Sequence, residues 1–275
     1  MDEVIRIIEE GKVLIDYGPV TMTVMAYVND VPATKLCIDS FQVVEMILKE
    51  LSQELDILRQ YAPNIREEDL DTIGKKMLAA VRLTENPKMT PMAAIAGSVA
   101  DMIADWIFNK GATKVVVNNG GDIAIRLAED EEVSVGIMPD LLNPEVSQII
   151  HIKESDKIGG IATSGLNGRS LTCGIANSVS VFAEKGSIAD AMATHIANAS
   201  YISSPNVMVK KAKEIDWNSD IADQDVVVSV GTITPSEIEH SLILIEKSAK
   251  YFKEKGYISF VAADVGGQKL YYPHK

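Results

Sequence analysis

Oxygen-bearing side chains recur at helical spacing in a stretch of the chain that is otherwise rich in small apolar residues. In the sequence ADAMATHIANAS, residues 189–200, Asp190, Thr194 and Asn198 are each four residues apart. Residues at i, i+4 and i+8 lie on one face of a helix, so we expect a carboxylate, a hydroxyl and an amide to form a polar stripe. Mg²⁺ favours such oxygen ligands and keeps waters that bridge to phosphates. The stripe of Asp190, Thr194 and Asn198 is therefore a candidate Mg²⁺ site.

A structural interpretation of the same carboxylate remains open. Ser187 is followed three residues later by Asp190, which is the spacing of a capping box in a helix that begins near Ile188. In that arrangement Asp190 would bond backbone amides of its own helix and would not face a ligand. The metal interpretation therefore needs support from elsewhere in the chain.

Two glycine-containing turns carry further polar residues beside predicted strands. The sequence Asn119-Gly120-Gly121-Asp122 separates predicted strands at 114–118 and 123–127. A Gly-Gly turn between strands favours a hairpin, and bare glycine amides beside polar side chains also suit an anion. Thr163-Ser164-Gly165 ends another predicted strand, 158–164, in a loop.

A further glycine lies in a predicted helix. Thr90 followed by Pro91 favours a helix start, and this helix is expected to reach about Lys110. Its first turns carry small residues on the side of Gly97 and Asp101. Such a face suits close packing against a strand or a ligand.

Length, composition and charge limit the class of protein. The chain has 275 residues, 47% of them apolar, enough for one large domain or two closely joined halves. A net charge of −13 argues against a nucleic-acid partner, whose phosphates would be repelled. The two cysteines are too few for a disulfide framework. Residues 1–10 do not resemble a signal peptide and no apolar run approaches the roughly 20 residues of a membrane helix, so we expect a cytoplasmic protein with no membrane partner.

Strands and helices follow one another in an order that repeats along the chain. A hairpin is predicted from strands 12–17 and 20–28 around Gly18-Pro19. A helix is predicted over 66–83, with the acidic residues 67–69 near its N-terminus, where negative charge is favourable. The order predicts an α+β fold of two similar halves, with helices packed on antiparallel sheets. Beyond that order, we find no sequence similarity between the halves.

Three of these motifs resemble those of the ApbE family. They are Val117–Ile123 (VNNGGDI), Thr163–Gly165 (TSG) and Ala189–Thr194 (ADAMAT), in the family's order and spacing. ApbE proteins are Mg²⁺-dependent flavin transferases, which move FMN from FAD onto a Ser or Thr of a target protein. The resemblance is closest to a signal-less, cytoplasmic branch, in which the runs PMAAIAG, IATSGLNGRS, GIANSVSVFAE and ADAMATHIANA recur nearly as written.

The resemblance implies a fold and a set of site residues. The fold is one domain over 1–275 with a duplicated T-fold-like architecture, whose two similar halves, approximately 1–130 and 131–275, hold the ligand between them. Asp190 and Thr194 match the residues that hold Mg²⁺, with a backbone carbonyl near Ile95–Gly97 completing the set. The residues implied to shape the flavin nucleotide pocket are Asn119, Gly120, Gly121, Asp122, Thr163, Ser164, Gly165 and Gly97.

The chain also departs from the family's pattern at two places. The transferases carry a Lys before the helix glycine, where this chain has Ala96. They follow the Thr-Ser-Gly strand with a His-x-x-Asp-Pro-x-x-Gly motif, where this chain has Asn167-Gly168-Arg169-Ser170. Arg169 is a candidate for the missing positive charge, because a guanidinium pairs well with phosphate. His195 is the nearest candidate catalytic base, although it points roughly 100° around the helix from Thr194.

The resulting expectation is Mg²⁺-dependent binding of FAD, FMN or a related small phosphorylated ligand, with processing by FMN transfer or pyrophosphate cleavage. The alternative is a catalytically inactive accessory protein that keeps the pocket and serves a metabolic partner. An unrelated anionic metabolite is a third occupant for the pocket. The sequence leaves the physiological ligand and the formation of a homo-oligomer open.

Overall fold

The computed structural model describes residues 4–137, 148–168 and 170–273. The strands within these ranges are β1 (Ile5–Glu9), β2 (Lys12–Tyr17), β3 (Val20–Val28), β4 (Val31–Pro32), β5 (Lys114–Asn119), β6 (Asp122–Leu127), β7 (Glu132–Ile137), β8 (Gln148–Lys153), β9 (Gly160–Ser164), β10 (Ser178–Ala183), β11 (Val207–Lys211), β12 (Asp225–Val230), β13 (Phe260–Val265) and β14 (Gln268–Tyr272). The α-helices are α1 (Thr34–Asp39), α2 (Phe41–Leu58), α3 (Thr72–Arg82), α4 (Ile95–Asn109), α5 (Gly186–Ala199), α6 (Ala212–Ile215) and α7 (Pro235–Glu254).

Ten of the described strands form one antiparallel sheet. Its order is β1-β2-β3-β5-β6-β9-β10-β13-β14, with β4 paired to β3. The strands that precede residue 128 therefore lie together on one side, and those that follow residue 159 lie on the other. The two groups meet where β6 pairs with β9. The described strands thus confirm the α+β class with antiparallel sheets, whereas the division into two similar halves stays a prediction.

Alternating apolar residues explain why the strands form and which face they bury. In β3 the side chains of Val20, Met22, Val24 and Ala26 are buried, while the residues between them are more exposed. This period of two places every second side chain on the same face of the sheet, where the helices cover it. The predicted hairpin of strands 12–17 and 20–28 is confirmed at both boundaries.

The helices divide the buried apolar side chains into two clusters that meet at α5. The first cluster contains residues of β2, β3, β5, α2, α3 and α4, and it includes Ala191. The second contains residues of β9, β10, β13 and α7, and it includes Ala189, Met192 and Ala193. Because α5 carries mostly small side chains, it fits between the two clusters and contributes to both. On the opposite face of the sheet, the hairpin of β7 and β8 packs over Ile161 and Phe182.

Several predicted boundaries differ from the structure. The acidic residues 67–69 form a separate 3₁₀ turn, and α3 begins only at Thr72. The predicted helix from Pro91 begins as a 3₁₀ turn over Pro91–Ala94, and the α-helix follows from Ile95. At this turn the Thr90 hydroxyl donates to the Asp220 carboxylate, so a contact distant in sequence replaces the expected side-chain cap. The strands β1 and β11 are additions that the sequence pattern did not predict.

In the described chain, one helical stretch, Pro91–Asn109, has the length and apolar composition needed to cross a membrane, so the expectation that no apolar run approaches that length is wrong. More than half of it, 56%, is buried inside the protein. A helix that is apolar on most sides and covered by other elements is typical of a protein core.

The crossing of α4 and α5 is unusually close. A Cβ at Gly97 would overlap the Gly186 carbonyl and lie 2.9 Å from the Asp190 Cβ. A Cβ at Gly160, in β9, would overlap the backbone at Gly186. Glycine at these positions therefore lets the first turn of α5 lie directly against both α4 and the sheet.

We expect Gly97→Ala to lower the free energy of unfolding by roughly 3 kcal/mol, because the added methyl meets backbone atoms that must shift. Urea denaturation followed by circular dichroism measures this change. Gly231→Ala is the control, because a Cβ there is 3.5 Å from the Asn206 carbonyl, and a change within about 0.5 kcal/mol is expected. Equal stability of the two variants would contradict the close crossing.

Candidate functional site

The two groups of strands in the main sheet separate beside a cavity. β6 and β9 pair through Ile123 with Ile161 and through Ala124 with Gly160. Next to this pairing, the Thr163 amide donates to the Asp122 carboxylate at 3.4 Å. A cavity of about 600 Å³ opens here, within the range of small-molecule sites.

The cavity brings together candidate residues from three separate stretches of the sequence. The predicted site residues that line it are Asn119, Gly120, Gly121, Asp122, Thr163, Ser164, Gly165, Asp190 and Thr194. Gly97 follows the lining residue Ala96, and its amide donates to the Asp190 carboxylate at 2.9 Å. The turn after β5, the end of β9 and the exposed side of α5 therefore converge on one space, and the individual roles of these residues stay predictions.

Asp190 is bonded to another helix and not to the amides at the start of its own. The amides of Gly186 and Ser187, which begin α5, donate to Asp101 at 2.9 Å each. Asp190 instead accepts from Gly97 at the start of α4 and faces the cavity. The capping-box interpretation of Asp190 is therefore wrong, because Asp101 occupies the position that the Asp190 carboxylate would need.

Asn198 does not continue the polar stripe into the cavity. Its side-chain oxygen accepts from the Cys173 amide at 2.8 Å and from the Thr172 hydroxyl at 3.2 Å. These bonds hold the segment before β10 against α5. The stripe predicted from spacing therefore divides into two functional candidates, Asp190 and Thr194, and one structural residue.

Two half-buried carboxylates, those of Asp122 and Asp190, share the cavity without a neutralising cation among the described lining residues. Burial raises the pKa of Asp122 to about 7. Burial and the charge of Asp122 also raise the pKa of Asp190 well above its usual range, although the bond from Gly97 acts in the opposite direction. Bringing two negative charges together out of water is unfavourable, so this end of the cavity favours a cation.

The oxygen donors at this end have the chemistry of a Mg²⁺ site. Besides the two carboxylates, they include the Thr194 hydroxyl and the backbone carbonyl of Ala96. That carbonyl accepts a hydrogen bond from the side-chain Nδ2 of Asn119 at 3.2 Å. The part of the chain that is described contains no cluster of three or more His, Cys, Asp or Glu side chains arranged for a metal. A metal here would therefore rest on carboxylate, hydroxyl and carbonyl oxygens, which is the donor set that Mg²⁺ prefers.

The turn that contains Gly120 and Gly121 is held in place by the side chain of Asn118. Gly120 and Gly121 have φ values of 68° and 114°, and the Gly121 amide donates to the Asn118 side chain at 2.9 Å. That amide is therefore already used and is not an open anion donor. A Cβ at Gly121 would meet nothing within 4 Å, so the turn presents bare backbone to the cavity.

At another side of the cavity, β9 and β10 are linked by a hydrogen bond between side-chain hydroxyls. Thr163 in β9 and Ser180 in β10 are hydrogen-bonded through their hydroxyls at 2.7 Å, and both line the cavity. Gly165 follows with φ of 143°, where a Cβ would lie 2.6 Å from the Asn177 carbonyl. The opposite wall is apolar and comes from the β2–β3 turn, α2 and α4, through Pro19, Val20, Leu48, Leu51, Ile95 and Val99.

His195 is not brought to this cavity. It lines a second, more open groove with Thr84, Lys247 and Ser248, and its ring packs edge-on against Phe252 at 5.1 Å. Burial lowers the pKa of His195. Because neighbouring helix positions point about 100° apart, a residue next to Thr194 is directed away from the cavity, and we do not retain His195 as its base. Arg169, the other predicted catalytic residue, lies outside the described residues.

The sequence did not identify Asp101 and Arg126 as site residues. Arg126 on β6 donates to Asp101 at 2.9 Å and to Asp105 at 2.7 Å, directly behind the cavity. A short repeat could have found Asp101, because residues 97–101 read GSVAD and residues 186–190 read GSIAD. The expectation of no sequence similarity between the halves is therefore wrong at these five positions.

Comparisons with known proteins show the family and the fold to which the chain is similar. A family model described as AbpE bacteria matches residues 6–270. A UPF0280 protein of Methanobrevibacter smithii is 32% identical over 180 residues, which cover 62% of this chain and 73% of that protein. A UPF0280 protein of Methanosphaera stadtmanae is 32% identical over 170 residues, covering 61% of this chain and 66% of that protein.

Among solved structures, the chain is similar to the flavinyl transferase ApbE of Pseudomonas stutzeri in its apo form. The TM-score is 0.52 at 14% sequence identity, and the match covers 98% of this chain and 96% of that one. At this low identity the likeness shows a shared fold.

The raised pKa of Asp122 has a consequence for the pH dependence of stability. Its folded pKa of about 7 exceeds the roughly 3.9 of an unfolded Asp, so the folded state binds more protons between these values. This carboxyl therefore lowers the free energy of unfolding as pH rises from about 4 to about 7. In metal-free protein, we expect the free energy of unfolding of Asp122→Asn to rise by roughly 3 kcal/mol relative to that of the unsubstituted chain as pH goes from 4.5 to 7.5.

Urea unfolding in the presence of a chelator, at both pH values, measures this difference. Asp56→Asn, which removes an exposed carboxylate on α2, is the matched control and should give a difference that does not change with pH. A pH-independent difference for Asp122→Asn would contradict the assignment of a buried, uncompensated carboxyl.

Proposed function

The chain belongs to the AbpE bacteria family, and from that premise we propose that its cavity binds FAD, or a closely related phosphorylated ligand, together with Mg²⁺. The observation that carries this proposal is the convergence of the three motifs on one cavity with a half-buried pair of carboxylates at one end. The fold shared with a flavinyl transferase supports the flavin as the ligand class.

In this proposal the metal is held by Asp190, Thr194 and the Ala96 carbonyl, with Asp122 beside them. Bound there, Mg²⁺ would neutralise negative charge on a pyrophosphate, which phosphoryl transfer requires more than it requires covalent chemistry. The side chain of Asn119 holds the Ala96 carbonyl in place through its 3.2 Å bond. Without the metal, these two carboxyl groups offer an anionic ligand no positive charge and repel it when they are ionised, so binding is expected to depend on the metal.

The remaining walls would select the shape of the ligand. The bare glycine turn allows close approach of a nucleotide to the backbone, and the hydroxyls of Thr163, Ser164 and Ser180 offer hydrogen bonds along one edge. The apolar wall, to which Leu48 and Leu51 of α2 contribute, suits a flat aromatic ring. A molecule with a charged pyrophosphate and an aromatic ring matches both ends of the cavity.

A second candidate function is binding without turnover. It is favoured by the composition of the cavity, whose described lining contains no Lys or His. The family's Lys position is Ala96 here, and His195 points elsewhere. An accessory protein that carries a flavin or responds to it would need the pocket and the metal but no general base.

We also propose that the chain acts in the cytoplasm. This proposal is supported by the α+β fold and by the apolar helical stretch Pro91–Asn109, more than half of which is buried against other elements. The ligand would be a small phosphorylated molecule of the same compartment.

We expect Asp190→Asn to abolish the Mg²⁺ dependence of FAD binding and to weaken binding in Mg²⁺ at least tenfold, because the substitution removes one charged metal ligand. Quenching of flavin fluorescence, titrated with and without Mg²⁺, measures both effects. His195→Gln is the matched control on the same helix and should leave binding unchanged. Equal FAD affinity in the Asp190→Asn variant and the unsubstituted chain would contradict the proposed metal site.

The two candidate functions differ in what becomes of bound FAD. With FAD and Mg²⁺ alone, we expect the purified protein to release AMP together with FMN if it is a pyrophosphatase, because water then accepts the FMN group. If it is a transferase, we expect AMP only after an acceptor protein or peptide with Ser or Thr, which takes up the FMN, is added. A binding protein returns intact FAD in both mixtures. Separation of nucleotides by liquid chromatography, with the Asp190→Asn variant as the blank, decides between them. If the protein neither binds FAD nor converts it, both candidate functions are wrong about flavin as the ligand.

A further inference from the structure

Two aspartates link α4 and α5 in opposite directions. Asp190 of α5 accepts from the Gly97 amide in the first turn of α4 at 2.9 Å. Asp101 of α4 accepts from the Gly186 and Ser187 amides, the first two of α5, at 2.9 Å each. Amides at the start of a helix lack partners within the helix, so each helix satisfies donors of the other. Asp190 lines the cavity, whereas Asp101 is fully buried behind it.

The two aspartates occupy equivalent positions in the GSVAD and GSIAD repeats. Four residues beyond each, the equivalent positions are Asp105 on α4 and Thr194 on α5. On α4, the guanidinium of Arg126 bonds both Asp101, at 2.9 Å, and Asp105, at 2.7 Å. On α5, the same two positions face the cavity. In the α4 repeat, the positive charge beside these two positions is the guanidinium of Arg126. In the α5 repeat, the proposed Mg²⁺ would take the corresponding place.

We infer that Asp101, held by Arg126, is a positioning residue for the proposed Mg²⁺ site. This inference rests on the proposed function, because it concerns the residues that would hold the metal. Asp101 fixes the first turn of α5 against α4, and Asp190 and Thr194 follow within the next two turns of the same rigid helix. The position of Asp190 relative to Ala96 is thus set by a carboxylate that is outside the cavity lining.

The contacts of Asp101 leave little freedom for α5 to adjust. Arg126 also donates to the Gly159 and Ile125 carbonyls, at 3.1 Å and 2.9 Å, so the ion pair of Arg126 and Asp101 is fixed to the sheet. A Cβ at Gly186 would lie 3.0 Å from the Gly97 carbonyl and 3.3 Å from the Asp101 carboxylate. Without the Asp101 carboxylate, two buried amides lose their acceptor and the first turn must shift to find water or another partner.

Asp101→Asn tests the inference, and Asp105→Asn is its matched control. Both residues lie on α4 and bond Arg126, but the described contacts of Asp105 are with Arg126 and Lys76, whereas those of Asp101 include α5. Mn²⁺ alone, followed by electron paramagnetic resonance, reports the affinity of the metal site. We expect Asp101→Asn to weaken Mn²⁺ binding at least tenfold and Asp105→Asn to change it less than twofold. A purely structural role would lower stability without changing the affinity of the folded protein.

A second readout needs no metal. In the metal-free protein, the Gly97 amide proton is bonded to Asp190, so its chemical shift and exchange rate report the position of that carboxylate. We expect both to change in Asp101→Asn and to stay constant in Asp105→Asn. Unchanged Mn²⁺ affinity and an unchanged Gly97 amide in Asp101→Asn would overturn the inference, as would equal weakening of Mn²⁺ binding in both variants.

The same experiments separate this inference from the proposed function. If the unsubstituted chain binds no Mn²⁺, the proposed metal site fails, and the Gly97 amide still decides whether Asp101 positions Asp190. If Asp101→Asn does not fold, Arg126→Gln replaces it, because this variant keeps the two bonds from Asp101 to α5 but removes the cation that orients it. We then expect about threefold weaker Mn²⁺ binding, and unchanged affinity would overturn the inference.

Discussion

The candidate site depends on how closely α4 and α5 cross. Glycine at the crossing lets the two backbones touch, and each helix then supplies a carboxylate to the unpaired amides at the start of the other. These bonds are directional, so they fix the rotation of α5 as well as its distance from α4. The carboxylate and hydroxyl that face the cavity are thereby held at one end of it. A helix packed only through apolar side chains would leave this rotation less strictly defined.

The presence or absence of a neighbouring cation explains why the carboxylate of Asp105, behind the cavity, differs from the two that face the cavity. Burial alone would raise the pKa of Asp105, but its bonds with Arg126 and Lys76 bring that pKa below its usual value. Asp122 and Asp190 face the cavity instead, and their pKa values are raised. Uncompensated carboxylates are costly in a protein interior unless a cation or protons neutralise them. A cation bound as proposed would remove this cost, whichever anionic ligand accompanies it.

The cavity lies where β6 and β9 separate beyond their two paired positions. A continuous sheet would have closed the space between β6 and β9, but the Asp122 side chain takes part in the bonding there and the strands separate. One wall is consequently polar and made of strand ends and turns, while the other is apolar and made of α2, α4 and the β2–β3 turn. This combination suits a molecule with a charged and a flat aromatic part. The cavity itself lies between the two groups of strands, and both contribute to its lining.

The class of fold, the hairpin of β2 and β3 and the motifs that line the cavity could all be predicted from the amino-acid sequence. These features follow from local patterns, namely alternation of apolar residues, glycine in turns and the resemblance of short motifs. Local patterns could not assign Asp190 between a cap and a ligand, because both interpretations use the same spacing within one helix. The choice was made by Asp101, which lies 89 positions earlier in the sequence and takes the capping bonds itself. Likewise, the separation of His195 from the cavity and the role of Arg126 depend on which helices and strands pack together, and only the tertiary structure decided that.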